Sequence, residues 1–242
     1  MKGRSVERHL RIALGAVAAL MVTACGSDLT LPSSTVDGVT LRLIDGNSQT
    51  GSVGEALPGP VVLAVETTAG EPLIDRRVAF LTSDAGGDSF DQDTVVTDSQ
   101  GRATNRWMLG TTPGEYTATA RVVADADSAP TLSLRATAVA GPPDTLRAIG
   151  PTNQPGRRGQ PVGQPLAVRV LDRFGNPVGG AEVAWATDPE DGQLDAATTR
   201  TAADGSTSVT WTLGNRVGTQ KATATVPGAS GSPLLFTAFV LF

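Results

Sequence analysis

Four groups of residues have the types and spacing that chemistry requires. Asp188, Glu190 and Asp191 put three carboxylates within four positions, and a general acid and a general base are commonly drawn from such a set. Asp84, Asp88, Asp91 and Asp93 offer the hard oxygen ligands that Ca²⁺ takes. Gly156-Arg157-Arg158-Gly159 has the glycines and cations of a phosphate-cradling loop. Cys25 is the single thiol and His9 the single imidazole. Most of this chemistry fails on context. His9 lies in a leader, so the chain beyond residue 24 has no imidazole to activate a Ser or Cys nucleophile. Zinc would lack its nitrogen and sulfur ligands. The three carboxylates sit in a turn-rich stretch and read as solvated loop acids. No helix pattern follows Gly159, so that segment reads as a connection. Asp84, Asp88, Asp91 and Asp93 lack a fixed ligand spacing and are weak calcium candidates. The expectation is a protein with no catalytic residues, no metal and no cofactor.

Cys25 is different. Lys2, Arg4, Arg8 and Arg11 form a basic start, and Ile12 to Val22 is an 11-residue apolar run, short of the ~20 residues that span a bilayer. This is the pattern of a secretory signal. It ends Val22-Thr23-Ala24-Cys25, which resembles the lipobox of bacterial lipoproteins. The resemblance implies cleavage after residue 24, a lipid on the Cys25 thiol and acylation of the new amino terminus. Gly26 after the cysteine implies outer rather than inner membrane sorting where a cell has two membranes. Residues 25–35 read as a flexible tether.

The elements that would carry any site come from a repeat. Thr97-Asp98-Ser99-Gln100-Gly101, Trp107, Leu109, Gly110 and Gly114 recur 104 positions later around Gly205, Trp211, Leu213, Gly214 and Gly218. Upstream the offset is 105, pairing Leu41 with Leu146, Gly54 with Gly159, Pro72 with Pro177 and Val78 with Val183. The change places a one-residue insertion in the first copy near Asp88, and length changes belong in loops. Within each copy apolar residues alternate with polar ones, the period-2 signature of half-buried strands. Tyr116, Ala118, Ala120 and Val122 share one face; so do Val209, Trp211 and Leu213. About seven strands in roughly 105 residues is the count of an immunoglobulin-like sandwich. The fold class is therefore all-β: two tandem immunoglobulin-like β-sandwiches after a cleaved signal peptide, at 36–140 and 141–242. The three tryptophans and Tyr116 fall within strand patterns and read as core.

The second copy carries Asp172-Arg173-Phe174-Gly175-Asn176-Pro177-Val178, then Val183 and Gly205. This resembles the bacterial Ig-like domain, group 1, found in invasin- and intimin-type adhesins. The first copy keeps only Gly70-Glu71-Pro72-Leu73 of that core. The resemblance implies rod-forming domains of bacterial surface proteins and says almost nothing about a ligand.

Residues 1–24 hold four of the 19 basic residues and one of the 24 acidic ones, leaving a balance of −8 beyond them. That opposes nucleic acid, which needs clustered Lys and Arg. The expected protein is a lipid-anchored, non-catalytic envelope protein with a spacer or adhesion role. Its expected contacts are the membrane through its anchor, and a protein or surface glycan. The alternatives are a calcium-dependent adhesion module and a carbohydrate-binding surface protein. Gly141-Pro142-Pro143 predicts a semi-rigid join, with the Asp98–Gly101 turn facing the second copy and the Asp172–Gly180 turn facing back. The apolar end Phe239-Val240-Leu241-Phe242 predicts that at least one of its phenylalanines stays exposed. Deleting it is expected to reduce association more than stability.

Overall fold

A computed structural model describes residues 32–83, 86–124 and 129–241. Cys25, Gly26, Asp84 and Phe242 lie outside the described residues. The first repeat contains β1 (Ser33–Val36), β2 (Val39–Asp45), β3 (Gln49–Ser52), β4 (Val61–Thr67), β5 (Arg77–Thr82), β6 (Ser89–Phe90), β7 (Thr94–Val96), β8 (Arg102–Asn105), β9 (Trp107–Met108), β10 (Gly114–Val122) and β11 (Thr131–Val139). The second contains β12 (Thr145–Ala148), β13 (Asn153–Arg157), β14 (Leu166–Leu171), β15 (Glu182–Thr187), β16 (Gly192–Leu194), β17 (Thr198–Arg200), β18 (Ser206–Val209), β19 (Trp211–Leu213), β20 (Gly218–Thr225) and β21 (Leu234–Leu241). A 3-10 turn, Pro189–Asp191, precedes β16. Ser33 to Thr35, assigned to the tether by sequence, begin β1 and pair with β2.

Each repeat packs two main sheets face to face. In the first, β1-β2-β4-β8 faces β3-β11-β10-β5-β7; in the second, β12-β14-β18 faces β13-β21-β20-β15-β17. β6-β9 in the first and β16-β19 in the second form a further two-stranded pair. Main-sheet neighbours are antiparallel except β3 with β11 and β13 with β21, which run parallel. The alternation seen in sequence is the alternation seen in burial. β10 and β11 bury every second residue, because successive side chains of a pleated strand point to opposite faces.

The two cores share no residue. One gathers Leu41, Leu63, Val78, Phe80, Trp107 and Leu134 with their neighbours; the other gathers Leu146, Val168, Val183, Trp185, Trp211 and Phe236. Trp107 and Trp211 are fully buried, and Trp185 and Tyr116 nearly so. Burying an aromatic side chain removes ~150–250 Å² from water, so these rings are major contributors to each sandwich. That burial also removes them as a sugar-stacking platform.

Polar side chains repeat as faithfully as the apolar ones. Gln49 binds the Gly59 backbone through both its amide nitrogen and oxygen. Gln154 binds Gln164 in the same way, 105 positions later. The Thr97 hydroxyl donates to Leu73 O and accepts from Arg76 N–H. Thr201 does so with Val178 O and Ala181 N–H. Each satisfies backbone groups that the strands leave unpaired at a crossing between elements.

Candidate functional site

The acidic loop of the first repeat does not gather its carboxylates. Asp88 is buried, and its Oδ2 accepts the Trp107 indole N–H at 2.8 Å. Its Oδ1 has no protein partner among the described residues. Asp91 and Asp93 join the ladder through their backbones, to Arg106 O and from Phe80 N–H, and their side chains are exposed. Among the described residues no group of three His, Cys, Asp or Glu could hold a metal ion.

The second acidic stretch is structural. Asp188 caps the 3-10 turn by accepting from Glu190 N–H at 2.9 Å. Asp191 departs from the sequence expectation of a solvated acid. It is 5% exposed, and it accepts from Arg216 through both Nε and Nη2 and from Lys221 N–H. Asp191 O takes the Trp211 indole N–H at 3.0 Å. A carboxylate held by an arginine and a backbone amide braces the elements that carry them. Arg157 closes β13 and Arg158-Gly159 turn away from it, so the Gly156–Gly159 segment is a strand end.

The most developed constellation joins the two repeats, at a turn built by Asp172. This carboxylate is 2% exposed. Its Oδ1 accepts from Phe174 N–H and Asn176 N–H, both at 2.9 Å. Its Oδ2 accepts from Asn176 Nδ2 at 2.9 Å and from the linker amide Gly141 N–H at 3.0 Å. Burial works against its ionisation, but these four bonds, the Asn176 side chain foremost, outweigh it and hold the group below the usual carboxylate range. The turn then reaches into the first repeat. Arg173 Nη2 donates to Glu55 Oε1 at 2.8 Å, and Asn176 Nδ2 to Thr111 O at 2.8 Å. The Arg173 guanidinium stands 4.6 Å from the Phe174 ring centroid. Phe174 covers Gly54, where an added Cβ would lie 2.5 Å from the ring. Gly54 also has φ +67°, so glycine is required there twice over.

The Asp172 turn thus faces the first repeat, as expected. The Asp98–Gly101 turn does not face the second. It packs against Val65 and Pro72, as the Gly205 turn packs against Val170 and Pro177. The reason is strand direction. The Trp107 strand segment starts at the Asp98 turn and ends at Gly110, so its two ends lie at opposite poles. The junction uses the far pole, through Gly54, Glu55 and Thr111. Phe239 is 50% exposed, in line with the expectation for the apolar end.

Residues 164–237 match the family model described as Bacterial Ig-like domain (group 1). The second repeat is a bacterial Ig-like domain. Among solved structures, the chain is similar to FdeC, an Escherichia coli adhesin, at 17% identity and a TM-score of 0.56, covering 86% of this chain and 66% of that one. It is also similar to InvD of Yersinia pseudotuberculosis, at 17% identity and TM-score 0.45, covering 84% and 57%. Invasin, a bacterial integrin-binding protein, gives 24% identity and TM-score 0.37, covering 84% and 39%. The FdeC likeness extends the Ig-like fold across both repeats. The chain spans about two thirds of FdeC or less of the others. A comparison with curated protein sequences gives no match.

Proposed function

We propose that this chain is a lipid-anchored, non-catalytic protein of the bacterial cell envelope, in which two Ig-like domains act as a fixed spacer that presents a binding surface for adhesion. The observation that carries this reading is the junction. A spacer needs its domains held relative to one another, and the Asp172 turn supplies three direct hydrogen bonds, a covering aromatic ring and a tie to the linker. Anchoring rests on Val22-Thr23-Ala24-Cys25, and Gly26 favours the outer membrane where two membranes exist. The adhesion role draws support from the adhesin FdeC, whose fold the chain shares. The partner is a protein or surface glycan, and nucleic acid is disfavoured by the charge balance.

Metabolic labelling with an alkyne fatty acid tests the anchor. The parent should take label and partition into detergent, and Cys25→Ser should accumulate as an unlabelled precursor. Label retained in Cys25→Ser, or an unlipidated amino terminus elsewhere in the parent, would refute it. Transfer of the intact protein to an inert bead, followed by measured adhesion to host or bacterial surfaces, tests the presenting role.

A further inference from the structure

The molecule contains its own control for the junction turn. Asp172 corresponds to Thr67 in the first repeat, 105 positions earlier, and Asn176 to Glu71. The two turns have the same backbone. Thr67 N–H reaches Glu71 O at 2.8 Å and Gly70 N–H reaches Thr67 O at 2.9 Å; Asp172 N–H reaches Asn176 O at 2.9 Å and Gly175 N–H reaches Asp172 O at 3.0 Å. Gly70 and Gly175 have φ of +87° and +84°. In the first repeat a hydroxyl serves where the second has a carboxylate: Thr67 Oγ1 accepts Glu71 N–H at 3.2 Å. The sandwich therefore forms this turn without an aspartate. What the carboxylate adds is the hold on Gly141 N–H in the linker, on the Asn176 side-chain amide and, within the turn, on Phe174 N–H. None of these bonds lies within the β-ladders of the second domain.

We infer that Asp172 is the positioning residue that locks the arrangement of the two Ig-like domains, and that the fold of the second domain does not depend on it. One carboxylate ties the linker to the turn and aims Asn176 Nδ2 at Thr111 O across the junction. With the amide released, the cross-junction contacts reduce to the Phe174 ring over Gly54, the long Arg173 Nη2 bond to Gly54 O at 3.4 Å and the Arg173–Glu55 pair. Both partners of that pair are more than half exposed, and exposed pairs hold geometry weakly. Asp172 is thus a hinge lock. This deepens the spacer reading by naming the group that sets its stiffness. It is separable from anchoring, since it concerns the junction and not Cys25.

The test uses the full chain with Cys25→Ser and two nitroxides, at Thr119→Cys in the first domain and Ala184→Cys in the second, both on exposed strand positions. Pulsed electron–electron resonance should give one narrow distance distribution. Asp172→Thr, which installs the first repeat's residue, should at least double its width while the second domain still melts cooperatively. Asn176→Ala should broaden it as well. A parent-like width in either variant would overturn the inference. So would loss of the cooperative transition in Asp172→Thr, because the carboxylate would then be serving the sandwich.

Discussion

Replacing Trp211 by alanine separates the two cores. The ring is fully buried, lies in β19 opposite Leu194, and donates its indole N–H to Asp191 O. Burial of ~150–250 Å² at ~25 cal/mol per Å² is worth about 4–6 kcal/mol. Large-to-small substitutions of buried tryptophan cost about 3–5 kcal/mol. A loss of ~4 kcal/mol is a large part of the ~5–15 kcal/mol that a domain holds. With a urea slope of ~1.5 kcal/mol per molar, the second domain's midpoint should fall by about 2.5 M. The first domain should keep its own midpoint to within about 0.5 kcal/mol, as distant sites add independently. Calorimetry and urea titration followed by circular dichroism would resolve the two transitions. Trp107→Ala should move the other one. Equal movement of both transitions in either variant would refute two separate cores.

Three further outcomes follow from particular groups. Asp172 is held below its ordinary value, so its stabilisation is complete above the unfolded value of ~3.9 and is lost as pH falls through the depressed folded value; the stability difference between parent and Asp172→Asn should therefore be constant near neutrality and shrink below about pH 4, and a difference that grows on acidification would contradict the assignment. Asp191→Ala leaves Lys221 N–H without its acceptor and Arg216 with only Thr219 O; it should lower the second domain's stability by about 1–2 kcal/mol in urea titration, whereas an unchanged midpoint would mean the carboxylate is not a brace. Phe239 and Leu241 are half exposed while Val240 between them is fully buried; Phe239→Ser with Leu241→Ser should reduce self-association in sedimentation velocity and leave the melting transition nearly unchanged, and the converse result would make the pair part of the core.

The fold was readable because a sandwich writes itself as period-2 alternation, and here it is written twice. Leu41, Val78, Tyr116 and Trp211 could be assigned to inner faces from spacing alone, and the tryptophans to cores. The poles were harder. The Asp98–Gly101 turn was expected to face the second domain because alternate loops lie at opposite ends of such a sandwich. Choosing the end requires knowing which end of the Trp107 strand meets the linker. Asp191 looked like a loop acid because its partner, Arg216, is 25 positions away and nothing in sequence links them. The Gln49, Gln154, Thr97 and Thr201 clamps join side chain to backbone over 10 to 24 positions, which leaves no periodic trace. A signal was available: identical polar residues at the repeat offset, in copies otherwise diverged, mark positions where the fold needs that side chain. Deleting residues 239–242 removes buried Val240 together with the exposed side chains, whereas point substitutions on the exposed face leave the core intact. Asp172 was visible within the resembled motif, but its hold on Gly141 required the folded linker.

The proposed spacer requires the junction to hold the two Ig-like domains as one body. ¹⁵N relaxation measured over the backbone amides of both domains tests it most directly. A single tumbling time shared by the amides of residues 36–140 and 141–241 is the expected result. Two distinct and shorter times, one for each domain, would contradict it.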